Sequence, residues 1–335
     1  MVAGKSHLWE KGKGSGVWYV RLKGKYHRIN AVAGTAEFDR QYWEILTGKR
    51  MLAKTSFSAL MDDYRKSDRW TGLKPRTRVD YDKVMDYLRD KIGNRDVKAL
   101  TRADVIAAQK ANAHRTRFAN YVAQMLVVLC EHAIDLGWIT LNPAKGVRAL
   151  KTPAERQREH LPWPDAAVAK FRAEASALPR LIFEIGVGSV QRPGDWVGFR
   201  WGDYDGDSLK LRQSKTGKAL ILPCTEHLKA ALDAAKAALG AVPIAARPIL
   251  IKRDGNPISY RYMADLMLKE RKRLGLEAYD LHALRYRGVK ELAWAGCDDD
   301  QIAAYSGHAT KEMIAKYAGE ARQEMRARQA REKRQ

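Results

Sequence analysis

The sequence contains little cysteine and no long apolar run. Its three cysteines, Cys130, Cys224 and Cys297, are far apart and odd in number. This excludes a disulfide framework and a four-cysteine zinc site, and it fits a reducing compartment. No apolar stretch approaches the roughly 18 residues that a membrane-spanning helix needs, and the N-terminus lacks the apolar core of a signal peptide. We therefore expect a cytoplasmic protein with no membrane partner.

Acidic residues are the scarcer charge. Lys and Arg number 61 against 39 Asp and Glu, which gives a net charge of +22. The excess is net +6 in residues 1–50, +8 in 51–160, +5 in 161–319 and +3 in 320–335. Such an excess favours a polyanionic partner, most often nucleic acid. Because no single tail holds it, every segment is a candidate to face the polyanion, although a generally basic protein would share this composition.

The length of 335 residues, 45% of them hydrophobic, predicts two or three folded domains. Residues 1–50 are predicted to form a small β-rich unit, with strands at Val17–Leu22 and Lys25–Asn30. A helix would begin after Thr35 and end at Gly48. The unit is basic, which favours nucleic-acid binding over the alternative of a folded cap on the next domain. Its basic side chains are Lys11, Lys13, Arg21, Lys23, Lys25 and Arg28.

From residue 54 to 150 the pattern is helical. A first apolar stripe runs from Phe57 to Tyr64 at helical spacing. Thr101 with Asp104 predicts a capped helix start, and the longest helix would span Thr116–Leu136. We expect an all-α domain whose exposed arginines contact DNA phosphates, although solvated charge would also explain them. These arginines are Arg76, Arg78, Arg115 and Arg117.

Residues 151–160 are polar, charged and proline-containing, which is typical of a linker. Beyond them the pattern predicts a mixed α+β region that is mainly helical. Its predicted strands are a hairpin of Ser208–Gln213 with Ala219–Leu222, and a further strand at Ile249–Lys252. Its predicted helices are Ser259–Leu274, Leu281–Ala295, Asp299–Tyr305 and Lys311–Tyr317, followed by a basic tail at 320–335.

Five short motifs follow one another in this C-terminal region. They are Gln191-Arg192-Pro193-Gly194-Asp195, Ser214-Lys215-Thr216-Gly217-Lys218, Leu281-His282-Ala283-Leu284-Arg285, Ser306-Gly307-His308 and Ile314-Ala315-Lys316-Tyr317. Each motif alone is weak evidence, since the His-x-x-Arg pattern of the third also occurs at His114 and Arg117. The ordered set is specific.

In this order the motifs resemble the catalytic signature of the tyrosine recombinases, the phage-integrase family. The resemblance covers about 160 residues and implies a multidomain fold. A small β-rich N-terminal domain (1–50) would precede an all-α, SAM-like core-binding domain (54–150), and a linker (151–160) would lead to a mixed α+β, mainly helical catalytic domain (161–319). The tail at 320–335 would be a helix that couples protomers, with a frayed basic end as the alternative.

The resemblance assigns Arg192 and Arg285 to the scissile phosphate. Two planar, permanently charged groups can neutralise the non-bridging oxygens as the pentavalent state develops, so no metal or other cofactor is expected. Tyr317 is the implied nucleophile. A phenol with a pKa of about 10 is ionised in only about one molecule in a thousand at pH 7, so it needs a base or a cationic pocket. Tyr305 is the competing candidate, but its spacing suits the core.

The remaining motif residues receive supporting roles. His282 shares a helix face with the second arginine and would accept the tyrosine proton or hydrogen-bond the phosphate. The resemblance implies that His308 donates to a phosphate oxygen and that Lys215, on the hairpin turn, is the general acid for the departing 5′ oxygen. Lys218 is the alternative three residues later. Asp195 would brace the arginines, at a position where the family often has Glu.

The function implied is that of a site-specific recombinase that cuts and rejoins DNA. It would act through a 3′-phosphotyrosyl intermediate and a Holliday junction, as four protomers in the bacterial cytoplasm. The N-terminal unit favours an integrase of a temperate phage or integrative element, which would bind arm-type as well as core-type sites. A host DNA-bending protein and an excisionase would be further partners. The alternatives are a Xer-like chromosome or plasmid resolvase, a type IB topoisomerase, and a catalytically silent DNA-binding protein.

Overall fold

The computed structural model describes residues 5–48, 54–157, 160–307 and 310–334. The chain divides into two compact units, Met1–Gln157 and Arg158–Gln335. The boundary between them lies inside the predicted linker. Residues 151–157 therefore belong to the first unit, whereas His160 belongs to the second.

The first unit begins with a three-stranded antiparallel sheet and one helix. The strands are β1 (Leu8–Glu10), β2 (Trp18–Leu22) and β3 (Lys25–Ile29), in that order across the sheet, and the helix is α1 (Ala36–Thr47). As predicted, Thr35 caps α1 by accepting a hydrogen bond from the Phe38 backbone N–H, and Gly48 ends it in the left-handed conformation. Strand β1 was not predicted, because three residues show too little alternation to stand out.

The rest of the first unit is helical. Its helices are α2 (Phe57–Tyr64), α3 (Asp68–Thr71), α4 (Pro75–Ile92), α5 (Arg102–Ala111) and α6 (Thr116–Asp135). The apolar stripe of α2 is buried, as its spacing predicted, and it packs against apolar side chains of α4 and α6. The predicted capping box at Thr101 and Asp104 is present at the start of α5. The prediction of a helical domain with one apolar core is confirmed.

The second unit is mainly helical with one hairpin. Its elements are α7 (Asp165–Glu174), α8 (Ala177–Ser189), α9 (Pro193–Trp196), β4 (Ser208–Arg212), β5 (Ala219–Pro223), α10 (Glu226–Ala237), α11 (Tyr260–Arg273), α12 (Leu281–Trp294), α13 (Asp299–Ser306) and α14 (Lys311–Glu332). The predicted end of the last helix at Tyr317 is wrong. Ala318 and Ala321 continue its buried stripe, and Arg322 donates to the Cys297 carbonyl at 3.0 Å, so the first part of the tail packs on its own unit.

The predicted strand at Ile249–Lys252 is also wrong. Two isolated β-bridges lie here: Pro248, directly before the segment, pairs with Arg200, and Ile251 within it pairs with Pro257. Each bridge includes a proline, which has no N–H to donate, so neither bridge extends into a ladder. The apolar pattern of the segment reflects burial in the core, where Ile249 and Leu250 are almost fully enclosed.

Helices α8 and α12 approach each other closely in the core of the second unit. At Gly288 of α12 a Cβ would lie only 2.3 Å from the Val187 carbonyl oxygen of α8 and 2.8 Å from a Val190 methyl. Glycine is therefore required there by space. The close approach places the N-terminal turns of α12 beside the short helix α9, where the first and third motifs meet.

Within the described ranges, no helix is both long enough and apolar enough to cross a membrane. The same part of the chain holds no group of three or more His, Cys, Asp or Glu side chains arranged to bind a metal ion.

The close approach of α8 and α12 makes a first prediction. Gly288→Ala should lower the free energy of unfolding of the second unit by about 1–3 kcal/mol, because the added methyl overpacks a filled contact. Gly319→Ala is the matched control, since a Cβ at Gly319 in α14 would meet nothing within 4 Å. It should stabilise the chain by about 1 kcal/mol through helix propensity. Urea unfolding followed by circular dichroism measures both, and equal effects would contradict the packing argument.

Candidate active site

Two arginines from different elements meet at the centre of the site. Arg192 precedes α9, and Arg285 lies on α12 with only 2% of its surface exposed. Arg285 donates from Nη2 to the Ser306 carbonyl at 3.0 Å. Burial, followed by the charge of Arg192, lowers the pKa of Arg285 to about 10, so it remains a cation at neutral pH. Among the described residues, Nη1 of Arg192 is buried without a hydrogen-bond partner, so it could donate to a bound anion.

Asp195 supplies a negative charge that acts on Arg285. Its carboxylate is buried, and Oδ1 accepts a hydrogen bond from the Ser214 backbone N–H at 2.9 Å. The second oxygen, Oδ2, has no hydrogen-bond partner within the described part of the chain. Its charge acts on Arg285 and favours the charged guanidinium. The predicted bracing role is thus consistent with where Asp195 lies, and the residue also fixes the start of the hairpin turn.

A buried amide network, which the sequence did not indicate, joins three of the motifs. Gln213 Nε2 donates to Gln191 Oε1 at 2.7 Å and to the Ser306 carbonyl at 3.0 Å. The Thr216 hydroxyl in turn donates to Gln213 Oε1 at 2.6 Å. The Ser306 carbonyl therefore accepts from both Gln213 and Arg285. A Cβ at Gly307 would lie 2.3 Å from Gln213 Nε2, so the glycine of the fourth motif leaves room for this amide.

The predicted nucleophile is held against a second tyrosine. Tyr317 lies on α14, half-buried, and its ring stacks on Tyr286 of α12 with centroids 3.9 Å apart and planes 17° from parallel. The Tyr317 hydroxyl donates to the Tyr286 hydroxyl oxygen at 3.2 Å. Both phenols are close enough to Arg285 to act electrostatically on it. The structure thus places Tyr317 near Arg285, together with Tyr286, which sequence reasoning missed although it directly follows Arg285.

His282 lies on the same helix and packs against another imidazole. Its ring is 5.1 Å from that of His160 and 5.0 Å from that of Tyr286, centroid to centroid. Burial lowers the pKa of His282, and the charges of His160 and Arg285 lower it further. His160 in turn contacts the Asp280 carboxylate through Nδ1. His160 had been assigned to the linker, so its place in the site corrects that interpretation.

The competing tyrosine of the sequence analysis lies in the core. The Tyr305 hydroxyl donates to the carbonyls of Gly188 and Pro223, at 3.0 and 2.6 Å. Lys215 and Lys218 both stand on the exposed turn between β4 and β5. Their burial does not choose between them, and the assignment of Lys215 as general acid stays a prediction. His308 lies outside the described residues.

In the helical part of the first unit, a cleft gathers most of the predicted DNA-contacting arginines. Its basic lining includes Arg76, Lys83, His114, Arg115, Arg117 and Arg156. Arg78 is not among the lining residues. Its Nε donates to the Leu73 carbonyl at 3.0 Å, and Nη2 donates to the Thr71 carbonyl, so it holds the loop before α4 together.

Three residues of the N-terminal part were predicted to bind DNA, and the side chains of all three are exposed: Lys23, Lys25 and Arg28. By strand register, Arg28 lies opposite Tyr19, and Arg21 lies opposite Tyr26. Trp9 contacts both tyrosine rings, at centroid distances of 6.1 and 5.7 Å. One face of the sheet is therefore both aromatic and basic, a combination that a count of basic residues does not indicate.

Comparison with known proteins agrees with this arrangement. Residues 166–324 match the phage integrase family. The integrase of Escherichia phage HK022 is 28% identical over 172 residues, which cover 50% of this chain and 47% of that integrase. The alignment thus spans about half the length of this curated relative.

Solved structures share the fold over nearly the whole chain. A lambda integrase dimer bound to a COC′ core site aligns with a TM-score of 0.66 and 21% identity, covering 94% of this chain and 95% of that one. A lambda integrase tetramer bound to a Holliday junction aligns with a TM-score of 0.65 and 22% identity, covering 93% and 94%. The predicted multidomain architecture, with a small β-containing N-terminal domain, a helical domain and a mainly helical catalytic domain, is confirmed.

Motif order, fold and family match define a catalytic unit of the phage-integrase type. Residues 166–324 are therefore a domain of the phage integrase family, that is, of the tyrosine-recombinase type.

The buried amide network makes a second prediction. Gln213→Leu should lower the free energy of unfolding by about 2–4 kcal/mol, because it leaves the Gln191 amide oxygen and the Thr216 hydroxyl without their buried partner. Arg212→Leu is the control at the preceding residue, since it removes an exposed bond to the Gly217 carbonyl and should cost less than about 1 kcal/mol. Urea unfolding compares the two, and equal losses would show that the network contributes nothing special.

Proposed function

We propose that this protein is a site-specific recombinase that breaks and rejoins DNA through a covalent bond to Tyr317. The observation that carries the proposal is the buried, unpartnered Nη1 of Arg192 beside the buried Arg285. Two guanidinium groups with one compensating carboxylate give the described part of the site a net positive charge, which favours binding of an anion. A scissile phosphodiester, with two non-bridging oxygens, would fill it, and the stacked Tyr317 would be its attacker.

In the cleavage step, the Tyr317 oxygen bonds to phosphorus as the bond from phosphorus to the 5′ oxygen breaks. The arginines stabilise the charge that develops on the non-bridging oxygens. The departing 5′ oxygen takes a proton, for which Lys215 is the proposed donor. The 3′-phosphotyrosyl bond conserves the energy of the phosphodiester, so a 5′ hydroxyl from a partner duplex can reverse the step without ATP.

His282 is the proposed base for the Tyr317 proton. A base must be uncharged to accept a proton. Burial and two neighbouring cationic or imidazole groups keep the pKa of His282 below its usual range, so the ring is neutral at pH 7. His308 is the proposed second donor to the phosphate.

Two rounds of strand exchange would pass through a Holliday junction in an assembly of four protomers. The fold shared with the lambda integrase tetramer bound to such a junction supports this arrangement. The basic cleft of the first unit would contact core-site phosphates. The aromatic and basic face of the N-terminal sheet would bind a second, arm-type site, as expected for an integrase of a temperate phage or integrative element. A DNA-bending protein and an excisionase would complete the reaction in the bacterial cytoplasm.

The covalent intermediate provides the main test. A library of nicked duplexes with randomised sequence should yield adducts with the full-length chain that survive SDS, and sequencing them identifies the preferred site. Tyr317→Phe should abolish the adduct, because the nucleophilic oxygen is gone, while Tyr305→Phe should retain the capacity to form it. Absence of any adduct from the wild type would leave only a DNA-binding protein. A type IB topoisomerase would be favoured if adducts formed without sequence preference and any supercoiled plasmid were relaxed. A resolvase would be favoured if recombination were confined to paired chromosomal or plasmid sites.

The state of His282 makes a pH prediction. A lowered pKa means that the neutral, proton-accepting ring persists as the pH falls and is lost only below the ordinary imidazole range near pH 6.5. The rate of adduct formation should therefore fall on the acidic side of that value. His282→Asn should react more slowly and lose this acidic limb. Single-turnover rates between pH 5 and 8 measure it, and an acidic limb that survives in the variant would assign the base to another group.

A further inference from the structure

Tyr286 lies outside the five motifs, yet it contacts the proposed nucleophile through both its ring and its hydroxyl. The two phenol rings are stacked at 3.9 Å, and their hydroxyl oxygens are 3.2 Å apart. Since the ring planes differ by only 17°, the two rings are almost parallel and their hydroxyl groups lie side by side. A group that contacts the Tyr317 oxygen would therefore also lie close to the Tyr286 oxygen.

A hydroxyl can both donate and accept, which gives this contact two forms. In the neutral pair the Tyr317 hydroxyl donates to the Tyr286 oxygen. Once Tyr317 has lost its proton, its oxygen can only accept, and the Tyr286 O–H is then a donor within reach. The hydrogen bond to a phenolate is charge-assisted and roughly twice as strong as the neutral one. The pair thus favours the ionised nucleophile over the neutral one.

We propose that Tyr286 is a positioning residue, which holds the Tyr317 ring by stacking and donates a hydrogen bond to its oxygen as that oxygen becomes the nucleophile. This rests on the proposed role of Tyr317. The Tyr317 proton passes to His282, and Tyr286 keeps its own proton throughout. When the Tyr317–phosphorus bond forms, Tyr286 remains hydrogen-bonded to the same oxygen, and on resealing the steps run in reverse.

The groups around Tyr286 favour retention of its proton. Burial raises the pKa of its hydroxyl, and the hydrogen bond and charge of Tyr317 raise it further. Asp280, at the start of α12, acts in the same direction, whereas Arg285 opposes it. The imidazoles of His282 and His160 contact the Tyr286 ring edge to face, at 5.0 and 5.6 Å. Tyr286 therefore keeps its proton and remains able to donate.

The first experiment needs no DNA. A 3-fluorotyrosine placed at position 317 of the full-length chain gives a ¹⁹F resonance that reports ionisation of that hydroxyl during a pH titration. Tyr286→Phe keeps the ring for stacking and removes only the donor. The midpoint at position 317 should rise by about one pH unit, because the variant loses the stronger bond in the ionised state and the weaker one in the neutral state.

Tyr204→Phe is the matched control. The Tyr204 hydroxyl is buried in the same unit and donates to Asp233 at 2.7 Å, so its loss is a comparable change elsewhere. It should leave the midpoint at position 317 unchanged. An unchanged or lowered midpoint in Tyr286→Phe would overturn the proposal, as would an equal rise in the control. Circular dichroism of both variants checks that they are folded.

The second experiment uses the nicked duplex recovered from the adduct selection. Tyr286→Phe should form the adduct about tenfold more slowly at pH 7, as expected from a one-unit change in the ionisation of Tyr317, with the basic limb of the pH profile moved upward. A purely structural role would slow the reaction at every pH alike. Replacing Tyr286 by 3-fluorotyrosine preserves the size of the side chain and makes it a stronger donor. The basic limb of the pH profile should then move to lower pH. If the limb moved in the same direction in both variants, the proposal would be overturned.

The two proposals fail separately. If the wild type forms no adduct, the proposed recombinase function fails while the titration still decides whether the tyrosines are coupled. If the adduct forms and neither the titration nor the pH profile responds to Tyr286→Phe, only the role of Tyr286 fails. An adduct that persists in Tyr317→Phe and maps to Tyr286 by mass spectrometry would make Tyr286 a nucleophile in its own right and overturn the positioning role.

Discussion

The site depends on keeping two like charges together and away from water. Arg192 and Arg285 repel each other, and burial makes that repulsion stronger because little solvent screens it. One carboxylate, that of Asp195, partly offsets the pair, and the Ser306 carbonyl fixes the orientation of Arg285. The folded state therefore bears an electrostatic cost that a bound phosphodiester would relieve. Positive charge that the fold holds in place is well suited to stabilising negative charge that develops on a phosphate.

The rest of the second unit serves to maintain this arrangement. Helix α12 carries His282, Arg285 and Tyr286 within two turns, and its close contact with α8 through Gly288 leaves it no freedom to shift. The buried amide of Gln213 ties the hairpin to the Ser306 carbonyl, which also holds Arg285. Hydrogen bonds, packing and charge thus converge on a few backbone groups. A substitution that disrupts any of these contacts would therefore displace the guanidinium group of Arg285.

Much of this could be predicted from the sequence, and the failures have physical causes. Helices with strong periodicity and caps, such as the one that follows Thr101, were predicted correctly because local interactions determine them. The strand expected at Ile249–Lys252 failed because Pro248, which directly precedes it, and Pro257, on a segment that pairs with it, keep the β-bridges isolated. Arg192, Arg285 and Tyr317 could be singled out because their motifs, in order, resemble those of a known family, and their catalytic roles stay predictions. Tyr286 and Gln213 could not, since nothing in a tyrosine or a glutamine specifies its neighbour until the fold brings the elements together.

The continuity of α14 has a mechanical consequence. Tyr317 is not on a loop but inside a helix that runs without a proline from Lys311 to Glu332. At about 1.5 Å per residue, the end of that helix lies roughly 22 Å beyond the nucleophile. If such a continuous helix tilts at one end, its other end is displaced. Tyr317 therefore moves together with the rest of α14. A contact at the exposed basic end of α14 would therefore change the position of Tyr317. Gly319, two residues after Tyr317, is the residue of this helix whose backbone bends most easily.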